Sequence, residues 1–155
     1  MELHDLKNRP EHIATVADRI WRAGCAPGGA TLAMVEEAMA TMGKADGFPF
    51  TLVALDGDVF LGTISGIQSD IVARPDLGPC IADFWVEASA RAKGVGGTLL
   101  DKARERIGDA GFDHAYLAAV HTLRPYYKRQ GWTLTEQNVG KDGLDIFKID
   151  FGGLK

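Results

Sequence analysis

The sequence is short of cysteine, of long apolar runs and of any strong excess of one charge. Its 155 residues include two cysteines, Cys25 and Cys80. They have no paired spacing, so nothing points to a disulfide framework, and a reduced cytoplasmic compartment is the expectation. No apolar stretch is long enough to span a membrane, and the opening "MELHDLKNRPEHIA" has no apolar signal-peptide core. Basic residues number 17 against 21 acidic ones, for a net charge of −4. A basic footprint for nucleic acid is therefore missing, and neither a nucleic-acid nor a membrane partner is expected. His4, His12, His114 and His121 show no metal-ligand spacing, so no metal is expected either. Repeats, low-complexity tracts and interdomain linkers are absent as well.

What is present suits one domain, 1–155, with a real hydrophobic core, since 46% of the residues are apolar. "MELHDL" alternates and reads as a short first strand. Pro10 sits well as a first helical residue, and Ile13, Val16, Ala17, Ile20 and Trp21 follow at helical spacing up to Gly24. Thr31 is an N-cap for a second helix that buries Leu32, Val35, Met39 and Met42 and ends near Gly43. The period then changes. "FPFTLVALDGDVFLGTISG" is a β-hairpin turning at Asp56-Gly57, with the positive φ angles of a type I′ turn.

After the polar loop "QSDIVARPDLGP" comes "CIADFWVE", apolar on both faces as a central strand should be. A glycine-rich loop and a helix burying Leu99, Leu100, Ala103, Ile107 and Ala110 come next, ending at Gly111. "HAYLAAV" is then a strand reached by a crossover helix, hence parallel to its predecessor. "LRPYYKRQG" is a short helix, and "WTLTEQ" with "LDIFKID" a closing hairpin. The fold class is mixed α/β: a mixed sheet with helices on both faces.

"RAKGVGGTLL", Arg91 to Leu100, is the most informative segment. Three glycines, Gly94, Gly96 and Gly97, stand at the start of a helix, where unpaired N–H groups and the positive helix end favour an anion. A tight turn with glycines for packing is the plainer alternative. A P-loop requires a lysine after its last glycine, but Thr98 and Leu99 stand there. A dinucleotide fingerprint requires glycine where Leu99 stands and a strand directly before the loop, whereas "ASARAK" intervenes.

Arg91-x-x-Gly94-x-Gly96 after "FWVEASA" resembles the acetyl-coenzyme A signature of the GNAT-type N-acetyltransferases, Gln/Arg-x-x-Gly-x-Gly/Ala. "YYKRQGW" resembles that family's Phe/Tyr-Tyr-x-x-x-Gly-aromatic segment, and the element order matches from about Leu3 to Asp150. The resemblance implies a twisted mixed sheet of six to seven strands with its central parallel pair splayed. It implies acetyl-coenzyme A as cosubstrate and an amine acceptor, acetylated by direct attack on the thioester. The coenzyme's pyrophosphate would lie on Arg91, Ala92, Lys93, Gly94, Val95, Gly96, Gly97 and Thr98, and its pantetheine arm along Phe84, Trp85 and Val86. A backbone N–H at or near Val86 is the implied oxyanion donor. Tyr127 matches the tyrosine that protonates the leaving thiolate, which leaves Tyr126 to pack into the core. The family's asparagine seven residues ahead of that tyrosine is replaced by Val120. Homodimers are common in the family.

The base is less determined by the residues. Asp83 interrupts an apolar central strand and is either a proton acceptor, a site for a cationic group, or a structural carboxylate held by backbone or arginine. Water can serve in its place. Glu87 is expected to face solvent, and His121 to be a capping or surface residue. Asp70, Asp76 and Asp83 suggest a cationic acceptor. Two other functions are compatible with these features: a non-catalytic coenzyme A-binding sensor, and a nucleotide-binding redox domain, which Leu99 and the preceding hairpin disfavour.

Overall fold

The computed structural model describes residues 1–25, 29–42 and 47–151. Seven strands form one sheet: β1 Glu2–Asp5, β2 Phe50–Asp56, β3 Val59–Ile67, β4 Cys80–Val86, β5 His114–Ala119, β6 Thr133–Val139 and β7 Leu144–Asp150. Their order is β1-β2-β3-β4-β5-β7-β6. All neighbours are antiparallel except β4 and β5, which run parallel because the helix α3, Val95–Asp109, crosses between them.

The two larger apolar clusters lie on the two faces of the sheet, and a small third one gathers Ile71, Cys80 and Ile146. Helices α1, Ile13–Ile20, and α2, Leu32–Thr41, bury Val16, Ala17, Ile20, Val35 and Met39 against Val53 and Leu55. Thr31 caps α2 through an N–H bond from Met34 at 3.2 Å, as expected of this residue type before an apolar run. On the other face α3 buries Leu99, Leu100, Ala103 and Ile107 against Leu52, Ile64 and Leu117. Ala110, expected to be buried, lies just past the helix and is exposed, because α3 ends at Asp109. The first helix is broken up: a 3-10 turn covers Pro10–His12, and a π-turn covers Trp21–Cys25 beyond the α-helical span.

The hairpin turn falls one residue later than Asp56-Gly57. Asp56 pairs with Val59, so Gly57 and Asp58 are the loop residues. Of these two only Gly57 has a positive φ, +60°, which is the pattern of a type II′ turn and not of type I′. α2 ends at Thr41 with Met42 as its C-cap, close to the expected stop near Gly43, which itself lies outside the described residues.

Two irregularities in the centre of the sheet shape its surface. β4 and β5 share a single paired position, Cys80 opposite Tyr116, and diverge beyond it. And β4 bulges: Thr63 opposes Trp85 while Ser65 opposes Ala82, so Asp83 and Phe84 face Ile64 alone. Asp83 takes up the extra residue with φ at +52°, a region that aspartate tolerates better than most side chains.

Candidate active site

The divergence of β4 from β5 opens a cleft of about 540 Å³. Its walls are Phe84, Trp85 and Val86 from β4, Arg91, Ala92 and Gly94 from the following loop, and Gly96 and Gly97 from the first turn of α3. The far wall is Leu123, Tyr126, Tyr127 and Gln130, from the helix α4, Arg124–Arg129, and its flanks. The cleft is thus formed between a strand edge, a helix N-terminus and a short helix from the other half of the sheet.

The strand edge offers hydrogen bonds. The Glu87 N–H donates to Leu61 O at 2.8 Å, and Trp85 lies opposite Thr63 in the same register. Alternation along the strand then turns the N–H and C=O of Val86 away from β3, toward the gap. Arg91 Nε donates to the Val86 carbonyl at 3.0 Å. The Val86 N–H remains the donor that faces the open side. The Arg91 guanidinium also lies 4.8 Å from the Trp85 ring centroid, so this cation braces the strand end as well as lining the cleft.

The helix end offers an anion site. Gly94 is the N-cap of α3, in left-handed conformation with φ at +83° and without a side-chain cap. The first bond of the ladder runs from Thr98 N–H to Gly94 O at 3.1 Å, so the N–H groups of Val95, Gly96 and Gly97 have no acceptor within the helix. A Cβ at Gly94 would meet nothing within 4 Å, whereas one at Gly96 would stand 2.9 Å from the Tyr126 hydroxyl and 3.3 Å from the Phe84 ring. Gly94 is therefore required by its φ, and Gly96 by close approach. An anionic group fits this backbone cradle.

Of the residues the sequence singled out, eight line the cleft: Phe84, Trp85, Val86, Arg91, Ala92, Gly94, Gly96 and Gly97. Tyr127 does too. Lys93 and Val95 instead border a smaller hollow of about 330 Å³ beside Met1 and Asp56. The Thr98 hydroxyl turns back to Gly94 O at 2.9 Å. Leu123 and Gln130 carry no signal of their own in the sequence, although Gln130 lies inside the "YYKRQGW" segment.

The two tyrosines differ from expectation. Tyr127 is the buried ring, packed 5.4 Å from Phe147, and Tyr126 is half-buried with its hydroxyl at Gly96. Burial, and secondarily the neighbouring Tyr126, push the Tyr127 phenol well above its ordinary range. It therefore remains protonated at neutral pH. Arg124, the first residue of α4, grips the Asp145 carboxylate with two bonds of 2.9 Å, which fixes that helix against β7.

Asp83 does not line this cleft. It lies on the bulge, on the α1–α2 side, and its carboxyl is pushed up to about 6 by burial and by the charge of Asp70, against a hydrogen bond from Ser65. Glu87, expected in solvent, is half-buried, accepting from Arg19 Nε at 2.9 Å and from Trp85 Nε1 at 3.0 Å. Its partner Arg19 lies 68 positions away, beyond the reach of local sequence reading. Asp76 is held by Arg74 at 2.9 Å. His121 is exposed at the start of a 3-10 turn.

The family model described as an acetyltransferase (GNAT) domain matches residues 28–150. The chain belongs to the GNAT acetyltransferase family. It is accordingly an acyltransferase. The fold agrees with those of solved GNAT-type structures. An aminoglycoside 6'-N-acetyltransferase complexed with coenzyme A is similar with a TM-score of 0.75 at 18% identity, covering 97% of each chain. The aminoglycoside 6'-N-acetyltransferase from Enterococcus faecium gives 0.70 at 19% identity, again over 97% of each chain. An acetyltransferase from Streptococcus agalactiae gives 0.71 at 16% identity, over 96% of this chain and 97% of that one. No curated protein matches the sequence. Among the described residues, no helix is long and apolar enough to cross a membrane, and no cluster of His, Cys, Asp or Glu could hold a metal ion.

Proposed function

We propose that this protein is a single-domain, cytoplasmic N-acetyltransferase that passes the acetyl group of acetyl-coenzyme A to a primary amine by direct attack. The observation that carries the proposal is the cleft between β4 and β5. An anion-binding helix end and a strand edge with an outward N–H meet there. The dimensions suit an elongated thioester whose phosphates and reacting carbonyl must be held at separate points.

In this reading the N–H groups of Val95, Gly96 and Gly97 hold the pyrophosphate, with Ala92, Lys93 and Thr98 completing the loop around it. Phe84 and Trp85 bound the pantetheine arm. The Val86 N–H faces the thioester oxygen and stabilises the charge that develops on it as the amine attacks. Tyr127 gives its phenolic proton to the departing thiolate, and burial keeps that proton in place until it is needed. Asp83, on the opposite face of the splayed strands, takes a proton from the acceptor ammonium, directly or through water. A carboxyl poised near 6 suits that role at neutral pH. The aminoglycoside acetyltransferases among the similar structures support an amine acceptor. Asp70 and Asp83 on the acceptor side support a cationic one.

Calorimetric titration with acetyl-coenzyme A, coenzyme A and NADH tests the cosubstrate, and release of free thiol over a panel of small amines and lysine peptides tests the transfer. Binding of the coenzyme with turnover on a cationic amine is the expected result. Binding without turnover on any amine indicates a coenzyme A sensor, and preference for NADH overturns the reading altogether.

A further inference from the structure

The end of β4 is tied to α1 by a carboxylate that is not part of the cleft wall. Strand alternation puts the side chains of Trp85 and Glu87 on the α1–α2 face of the sheet, on either side of Val86 in the chain. The Glu87 side chain is 21% exposed. Arg19, on α1, reaches both of its oxygens: Nε donates to Oε1 at 2.9 Å and to Oε2 at 3.1 Å, and Nη2 stands 2.9 Å from Oε1. Trp85 Nε1 donates to Oε2 at 3.0 Å. Arg19 also donates to Asp18, which accepts from Arg22 at 2.8 Å. The Glu87 carboxylate is thus committed to partners within the chain, unlike the free carboxylate that a substrate ammonium requires.

We propose that Glu87 is a positioning residue for acetyl transfer: with Arg19 and Trp85 it clamps the end of β4 so that the Val86 N–H keeps its aim at the thioester carbonyl. That peptide needs a support because β4 has no neighbouring strand on its open edge beyond Cys80. The groups around it are all pinned. The Glu87 N–H donates to Leu61 O at 2.8 Å, and the Val86 carbonyl accepts from Arg91 Nε at 3.0 Å. The Trp85 indole is held at its N–H by Glu87 and at its ring by the Arg91 guanidinium, 4.8 Å from the centroid. Val86 lies between these two anchored residues. A donor to a developing oxyanion is effective when it is fixed before the reaction begins, and charge-assisted bonds fix geometry more firmly than neutral ones.

The fold does not depend on the clamp. α1 has an apolar seat of its own, in which Val16, Ala17 and Ile20 are buried. β4 is paired with β3 up to Val86 opposite Gly62. The carboxylate adds no apolar area to either contact. What it adds is a fixed distance between α1, on the side proposed for the acceptor, and the strand that carries the donor. Among the described residues, Arg19 is the one cation that pairs with Glu87.

The clamp rests on the reading of the Val86 N–H as oxyanion donor, and the experiment separates the two. Acetyl-coenzyme A, isotope-labelled at its acetyl carbonyl, is bound to the protein without an acceptor, and the carbonyl stretch is read by difference infrared spectroscopy. In the wild type the band should lie below that of the free thioester, because an accepted hydrogen bond weakens the C=O bond. Glu87→Ala is expected to return the band most of the way to its free position. On the acceptor found by the amine panel, the same variant should lower kcat by roughly tenfold, a part of what the loss of a whole oxyanion donor costs. Coenzyme A affinity should hardly move, since its phosphates are held at α3. Glu87→Gln, which keeps an oxygen for the Trp85 N–H, should fall between, and Arg19→Met should move the band in the same direction as Glu87→Ala. A wild-type band in folded Glu87→Ala overturns the clamp whether or not kcat falls, and if that variant does not fold, Arg19→Met decides on the same criterion. An undisplaced band in the wild type overturns the oxyanion reading of Val86, and the clamp with it.

Discussion

The Tyr126 hydroxyl stands over Gly96 so closely that a Cβ on the glycine would lie 2.9 Å from it. One wall of the cleft thus bears on the other at the first turn of α3. Gly96→Glu should push this contact apart and set an anion beside the proposed phosphate cradle. Coenzyme A affinity is expected to fall by roughly tenfold or more, about 1.4 kcal/mol or above. Calorimetry checks it, with circular dichroism to establish that the fold survives. Unchanged affinity in a folded variant would sink the cradle.

Tyr127→Phe removes one hydroxyl from a buried ring and little volume. If that phenol protonates the thiolate, kcat should drop by roughly 10²-fold, with coenzyme A affinity nearly unchanged. Tyr126→Phe is the matched control, since its hydroxyl points to Gly96. Greater damage from Tyr126→Phe would reassign the proton donor to the more exposed ring. Steady-state kinetics on the amine identified by the screen separates the two.

Asp83 should make stability depend on pH. Burial first, then Asp70, raise its folded-state value to about 6, with Ser65 opposing, against an ordinary 3.8. The sign comes from linkage. Its favourable contribution is fully present below the unfolded value and is lost as pH rises through about 6. Above that, the ionised group costs on the order of 2–3 kcal/mol relative to its protonated form. Asp83→Asn should therefore gain stability over the wild type between about pH 4 and about pH 7.5, read from urea unfolding at both. A difference that is the same at the two pH values contradicts the shift.

The Arg124–Asp145 pair should be strongly asymmetric to substitution. Asp145 is 1% exposed at its side chain and Arg124 32%. Arg124→Met strands a buried carboxylate, which should cost about 3 kcal/mol in unfolding free energy. The double variant Arg124→Met with Asp145→Leu should recover much of that loss. Equal losses in single and double variants would mean that the pair is not what fixes α4.

Much of the fold is legible because the helices and strands obey their hydrophobic periods, and because the glycines of the α3 loop stand where backbone must be approached. What cannot be read arises from register and distance. The bulge at Asp83 depends on how β4 slips against β3, and a strand that is apolar on both faces carries no mark of it. Tyr126 and Tyr127 are adjacent on a helix of six residues, about 100° apart, and nothing local says which ring turns inward. Glu87 reads as a solvent residue because its arginine is far away in the chain, on α1. The turn at Gly57-Asp58 reads one residue early because Asp56-Gly57 also fits a hairpin loop.

The lone pairing of Cys80 with Tyr116 has a thermodynamic consequence. Beyond that point each strand has one edge without a neighbouring strand, so the folded chain alone is a sheet missing part of its middle. A ligand that bridges Val86 and α4 supplies the missing contacts, and the unfolded chain has nothing equivalent to offer it. By mass action, the free energy of unfolding should rise with ligand concentration, by about 2.7 kcal/mol at roughly a hundred times the dissociation constant. Resistance to denaturation, measured against added coenzyme, thus reports occupancy of the gap before any acceptor is known.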